Sequence, residues 1–217
     1  MKGGGGGSHS GFFDQNGNYL GSDGRKNGKV YVLRSEIQEV MAKKDEILRF
    51  FNEGVSKLTI NEIYSCFVEI LPSNIGRNVM YNIVSQDDGN GGTFEKNNRE
   101  YGGFINEIGL VIETTHGQVK DPNSKGEKVT IKFPHGTDYA TFHSHPSGTK
   151  TIIINNEFEK TIRYDQPPSD DDLKVAGIHI CYVFGRGDGN VYVYNRQGVQ
   201  TIIRTSDFIN PAKFNNP

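Results

Sequence analysis

Apolar positions along the chain fall into two textures. Up to about residue 86 they recur at helical spacing; beyond Gly102 they alternate or run together as they do in strands. Ser35 is placed to cap a helix over 36–52, with Ile37, Val40, Met41, Ile47, Leu48 and Phe51 as its apolar face and Gly54 as its stop. Thr59, followed three residues later by Glu62, has the form of a capping box for a helix over 60–71 that Pro72 ends. A third amphipathic stretch covers 73–86, and the string DDGNGG at 87–92 is a loop. Ahead of these helices, Asn16-Gly17 and Asp23-Gly24 are turn signals and Val30–Leu33 is strand-like, which predicts a small ribbon over 11–34.

The second texture predicts strands over 104–113, 129–133 and 139–145. It then predicts a helix over 169–176, with Ser169 as cap and three aspartates in the first turn. A hairpin of 179–185 with Asn190–Asn195 follows, closed by Asp188-Gly189, and 199–204 adds a last strand. Helices first, then strands with an inserted helix, predict an α/β chain of the α+β kind, with a mixed sheet flanked by helices. The expected organisation is a flexible Gly-rich linker (1–10), an N-terminal appendage of ribbon and helices (11–72) and a main domain (73–217).

Composition narrows the functions. With 34% hydrophobic residues in 217, the chain holds enough apolar material for one core and no run long enough to span a bilayer. No basic-then-apolar leader opens it, so no secretory signal is expected within it. Net charge is -2 and the 24 Lys and Arg are scattered, so neither a nucleic-acid surface nor a membrane surface is expected. The two cysteines, Cys66 and Cys181, read as buried free thiols; with no C-x-x-C pair, a thiolate zinc site is not available.

Candidate chemistry centres on Phe142-His143-Ser144-His145-Pro146. Residues two apart on a strand point to one face, so both imidazoles can converge on one metal ion, and Pro146 suits a strand end. A catalytic zinc site needs three protein ligands and an open position. Two histidines leave one ligand to find, and alone they read equally as a hydrogen-bonded surface pair. Pro168-Ser169-Asp170-Asp171-Asp172-Leu173 puts Ser169 and Asp172 on nearly the same side of a helix start, although capping and dipole compensation explain these acids by themselves. Glu100-Tyr101-Gly102-Gly103-Phe104 puts a glutamate before a strand whose glycines allow close backbone approach. Such a glutamate can serve as a proton acceptor beside a metal, or be an ordinary polar residue.

Taken in order, E-x-G-G, H-S-H-P and S-x-x-D resemble the JAMM signature of the JAB/MPN metallopeptidases. His143 to Gly148 (H-S-H-P-S-G) with Pro168 to Leu173 (P-S-x-x-D-L) is similar to the RadC-like bacterial branch. The resemblance covers roughly residues 73–205. It implies a cytidine-deaminase-like mixed sheet and a zinc peptidase that cuts peptide or isopeptide bonds, with a protein or ubiquitin-like conjugate as substrate. By matching positions, it implies His143, His145 and Asp172 as zinc ligands, Glu100 as the general base acting on water, and Ser169 as the oxyanion-stabilising serine. Between Pro146 and Ser169 this chain departs from the family, inserting 147–168. Two strand-like runs around Asn155-Asn156 predict a β-hairpin there, to bind an extended substrate, to cover the site as a lid, or simply to enlarge the domain.

The remaining candidates carry less. Glu107 and Glu113 lie further along the strand, without a following glycine pair. His116, His135 and His179 have no partner at ligand spacing, Asp170 and Asp171 read as dipole acids, and Ser144 points away from the imidazoles. Asp14, Asn16 and Asn18 alternate as in a calcium loop, but Tyr19 stands where glycine is needed, so a turn is expected. Arg186-Gly187-Asp188 is read as a turn. A second class of function is a non-catalytic MPN binding module or a RadC-like DNA-associated protein; retained ligands argue against the first and the acidic balance against the second. The Gly-rich opening with NGNYLGSDG and GKVYVL also resembles the junction before C-terminal toxin domains of RHS-type polymorphic proteins, which implies export within a larger protein and an immunity protein as partner.

Overall fold

A computed structural model of the protein describes residues 9–122, 131–133, 140–154 and 158–209. Its first part is a small sheet. β1 (Gly11–Phe13) pairs antiparallel with β2 (Tyr19–Gly21) and parallel with β3 (Val30–Leu33), and β3 pairs antiparallel with β4 (Phe67–Glu69). The turn after β1 is built on Asp14, whose carboxylate accepts the Asn16 and Asn18 amides at 2.9 and 2.8 Å and the Asn18 side chain at 2.8 Å. Its alternating polar residues therefore make a turn, as their chemistry predicts.

Three helices cover this sheet. The helix predicted over 36–52 is two, α1 (Gln38–Ala42) and α2 (Lys44–Glu53), broken at Lys43, where φ is -94° and ψ is 0°. Ser35 does not cap it. Ile37 occupies the N-cap position with no side-chain hydrogen bond, and the Ser35 hydroxyl meets Glu36 and Thr201 instead. The end at Gly54 holds: its left-handed φ of 71° and its N–H to Phe50 O at 3.0 Å close α2. The Thr59–Glu62 capping box is present and starts α3 (Ile60–Ser65). That helix does not reach residue 71. Residues 67–69 extend as β4 against Leu33, Val32 and Tyr31, because β3 offers an open ladder and Phe67 and Val68 both find burial there. Phe12, Tyr31, Leu33, Ile47, Ile63 and Phe67 form the core of this part.

The main sheet has six strands in the order β12-β11-β10-β7-β5-β6. They are β5 (Gly102–Ile105), β6 (Val111–Glu113), β7 (Ala140–His145), β10 (Cys181–Gly185), β11 (Asn190–Asn195) and β12 (Gly198–Arg204). Only β7 and β10 run parallel; the other neighbours are antiparallel, so the sheet is mixed and the fold is α+β as expected. The strand predicted over 104–113 is a hairpin, β5 and β6, turned at Asn106, whose side chain accepts the Ile108 and Leu110 amides. Of the strand predicted over 129–133, residues 131–133 are not in a strand and 129–130 lie outside the described residues, as do Tyr139, His135 and residues 1–8. Ser10, placed in the linker by its composition, is fully buried and donates to Asp23.

Alternation on the central strands sorts the two faces. Phe142, Tyr182, Phe184, Val191 and Val193 face α4 (Asn74–Val84) and α6 (Thr205–Ile209), through Met80, Ile83, Val84 and Phe208. The same cluster includes Phe13, Val32 and Val68 of the small sheet, so residues on both sides of position 72 share one core. Cys181, Val183, Tyr192 and Tyr194 face the other way, toward α5 (Asp170–Ala176). The predicted insertion hairpin is present as β8 (Thr149–Ile154) paired antiparallel with β9 (Phe158–Arg163); Asn155 and Asn156 at its tip lie outside the described residues. No described helix is long and apolar enough to cross a membrane. The short helix α6 carries no sequence signal strong enough to have predicted it.

Candidate metal centre

The site is assembled by three local rules. Period-two alternation on β7 sends Phe142 into the α4 core and both His143 and His145 to the α5 face. β5 lies against β7 with Gly102 opposite His143, which brings Glu100, two residues before the strand pairing, to the same place. That close approach needs glycine. A Cβ on Gly102 would stand 2.2 Å from Phe142 O and 2.7 Å from His143 Cα, and one on Gly103 would stand 1.9 Å from Ile112 O. The capping box that starts α5 presents Asp172, the N3 residue of the helix, to the same point.

The donor atoms converge. His143 Nε2 lies 3.2 Å from His145 Nε2, Asp172 Oδ1 lies 3.3 Å from His143 Nε2, and Asp172 Oδ2 lies 3.5 Å from His145 Nε2. Glu100, His143 and His145 are buried, each offers one donor atom within 4.8 Å of the others, and this cluster can hold a metal ion. The spacing is informative. Four-coordinate zinc bonds imidazole at about 2.0–2.1 Å, which sets tetrahedral donor–donor edges of ~3.3–3.4 Å. A six-coordinate ion at similar bond lengths would require edges of ~2.9–3.0 Å. The separation of the two imidazole nitrogens lies nearer the tetrahedral edge, and Asp172 meets the two imidazoles through different oxygens.

Tautomer and charge also fit. His145 Nδ1 lies 2.9 Å from the Asp165 carbonyl oxygen, which only accepts, so Nδ1 carries a proton. Burial holds the His143 imidazole below its ordinary pKa against the pull of Asp172, so it is neutral; its Nδ1 is buried with no partner among the described residues. Burial pushes the Asp172 carboxyl upward, but hydrogen bonds from His143, His145 and Ser169 prevail and hold it far below the usual carboxylate range. Glu100 goes the other way. Burial first, then repulsion from Asp172, raise it well above its ordinary value, against a hydrogen bond from the Ile131 backbone. Two carboxyls that feel each other's charge are thus pushed in opposite directions, one toward permanent ionisation and one toward proton exchange.

Ser169 has a definite job in this arrangement. Its hydroxyl and its backbone N–H both donate to Asp172 Oδ2 at 2.6 Å, while the Asp172 N–H returns to Ser169 Oγ at 3.3 Å. It therefore orients the Asp172 carboxylate; an oxyanion role needs the hydroxyl to turn into the cavity that Ser169 also lines. That cavity, about 390 Å³, opens over the cluster with Phe133, Val175 and Tyr194 among its walls and no Lys or Arg among the described residues of its lining. Of the other candidates, Asp171 lines the cavity and pairs with Lys174 at 3.3 Å, and the following lie elsewhere. Glu113 receives Gln86, His116 meets Arg99 at 3.2 Å and Tyr101 edge-on, and Ser144 exchanges hydrogen bonds with the Tyr101 backbone. Cys66 and Cys181 are buried free thiols.

Residues that sequence reasoning passed over include Asp165 and Ile131, which act through backbone groups and so leave no residue-type signal, and Asp87 and Gln166, described below. Comparison of the chain with protein-family models, with curated proteins and with solved structures finds no match.

Proposed function

We propose that the protein is a zinc-dependent hydrolase of amide bonds in peptides or isopeptide conjugates. The observation that carries this reading is the convergence of His143 Nε2, His145 Nε2 and the Asp172 carboxylate at 3.2–3.5 Å beside a buried Glu100, at the base of a cavity. Two imidazoles and one carboxylate form a donor set that suits zinc and leaves a position open. His143, His145 and Asp172 would hold the ion, which when bound supplies Lewis acidity toward a carbonyl oxygen and toward water.

The chain's own residues supply the rest. Glu100 Oε takes a proton from the attacking water and returns it to the departing amine nitrogen; burial and the neighbouring Asp172 raise its proton affinity for that exchange. Ser169 keeps Asp172 aimed, so the ligand carboxylate does not compete for the proton. The largely apolar walls lower the polarity around the cluster, and no Lys or Arg among the described lining residues offers a counter-charge to a phosphate ester, which favours a neutral acyl group. The test is a pair of variants. Glu100→Gln should retain one zinc per chain and lose turnover of a peptide or isopeptide library. His143→Ala should lose both. Turnover by Glu100→Gln at the wild-type rate refutes the assignment of Glu100.

A further inference from the structure

The segment that follows His145 is held at successive backbone groups by residues far away in sequence and outside the motifs. The His145 carbonyl accepts the Arg186 amide at 3.1 Å. The Pro146 carbonyl accepts Gln166 Nε2 at 3.1 Å. The Ser147 amide and hydroxyl donate to the two oxygens of Asp87 at 2.7 and 2.5 Å, and the Gly148 amide donates to Asn97 O at 2.6 Å. Asp87 is fully buried although it is an acid, and its backbone carbonyl accepts Arg186 Nε and Nη2 at 3.0 and 2.7 Å. Gln166 also donates to Tyr164 O at 2.9 Å and accepts the Gly187 amide at 2.6 Å, which fixes the exit of the insertion hairpin, next to the Asp165 carbonyl that receives His145 Nδ1.

A surface loop needs none of this, and a buried carboxylate is expensive unless its oxygens are satisfied. The concentration of such bonds on 145–148 makes sense if the position of one imidazole must be defined to a few tenths of an ångström. From this geometry, and resting on the zinc reading above, we infer that Asp87 and Gln166 are positioning residues for His145, and that the insertion over 147–168 is part of the metal site's support through its exit at 164–166. Asp87 fixes the far side of the ligand segment, while Gln166 fixes the near side and the carbonyl that sets the His145 tautomer.

The test compares wild type with Asp87→Ala, Asp87→Asn and Gln166→Leu. Zinc dissociation constants are measured by competition with a chromophoric chelator, and the visible spectrum of the cobalt(II) form reports coordination geometry. Loss of an outer-shell partner weakens metal binding by about 10–100-fold. Asp87→Ala and Gln166→Leu should show such a loss with an altered cobalt spectrum. Asp87→Asn should recover part of it, because an amide oxygen can accept the Ser147 N–H while its Nδ2 donates to the Ser147 hydroxyl but loses the Gly89 N–H that Asp87 Oδ1 accepts at 2.9 Å. If Asp87→Ala does not fold, the half-buried Gln166 carries the test. Zinc affinity and cobalt spectra unchanged in the folded variants, whatever their melting temperatures, would overturn the inference while leaving the metal site intact. A wild type that binds no zinc would overturn both.

Discussion

Replacing Gly102 with alanine adds one methyl group at the point where β5 meets β7, and its consequence can be worked out from the backbone. The new Cβ would stand 2.2 Å from Phe142 O, 2.7 Å from His143 Cα and 2.9 Å from His143 Cβ, against ordinary contacts of 3.4–4 Å. The first two of these are backbone atoms, so no rotamer change relieves them. The strands must part or shear by ~1 Å at the pair Gly102 and His143, a forced overpacking of the kind that costs about 1–3 kcal/mol. Such a shift would carry the Ser144 N–H to Tyr101 O bond from 2.8 Å past hydrogen-bond range, a further loss of ~1 kcal/mol. The total is ~2–4 kcal/mol. The displaced strand bears His143 and the yielding one leads from Glu100, so zinc affinity and turnover fall together, the latter by about 100-fold for a 1 Å misplacement. Urea unfolding of the metal-free protein gives the stability term and chelator competition gives the affinity. Gly54→Ala, strained at its φ of 71° but with nothing within 4 Å of its Cβ and remote in sequence from the ligands, should lose stability without losing zinc. A Gly102→Ala protein within ~0.5 kcal/mol of wild type, with unchanged zinc affinity, would refute the argument that the glycine pair exists to bring Glu100 and His143 together.

Other outcomes follow from the same structure. Glu100→Gln should cut turnover by at least about 100-fold, as loss of a general base does. It should also stabilise the metal-free protein above the ordinary glutamate pKa: a carboxyl raised by burial and by Asp172 favours the folded state only while protonated, so wild-type stability is lost as pH rises toward the folded pKa. A variant less stable than wild type in metal-free urea melts at neutral pH would contradict this. Asp23 behaves in the opposite sense. Burial raises its carboxyl, but Ser10, Tyr64 and Arg25 outweigh burial and hold it below its ordinary value of 3.8. Its contribution is therefore present above that value and lost as pH falls through the depressed one. The stability gap between wild type and Asp23→Asn should narrow in melts below about pH 4; a gap independent of pH would show that the ionised form is not what the network holds.

Much of this was legible because it depends on short-range rules. The spacing of His143 and His145 determines their common face once β7 is a strand, and the Ser169 and Asp172 spacing determines a capping box once α5 is a helix. The same locality limited the reading. Residues 67–69 carry an apolar pattern compatible with a continuing helix, and only the open ladder of β3, more than thirty residues earlier, makes them a strand. Lys43 interrupts a periodic run with no Gly or Pro to announce it, where local backbone geometry overrides the pattern. At the site, the motif residues could be named but not their supports. Asp87 lies in a string that reads as a polar loop, and its burial follows from Ser147 and Arg186 folding onto it.

The central claim is best tested by the zinc content of the purified wild-type protein, measured by elemental analysis beside His143→Ala and Glu100→Gln. One zinc per chain is expected in wild type and in Glu100→Gln, and none in His143→Ala, if His143, His145 and Asp172 are the ligands and Glu100 is the base. Zinc absent from wild type even after reconstitution, or retained in full by His143→Ala, would contradict it.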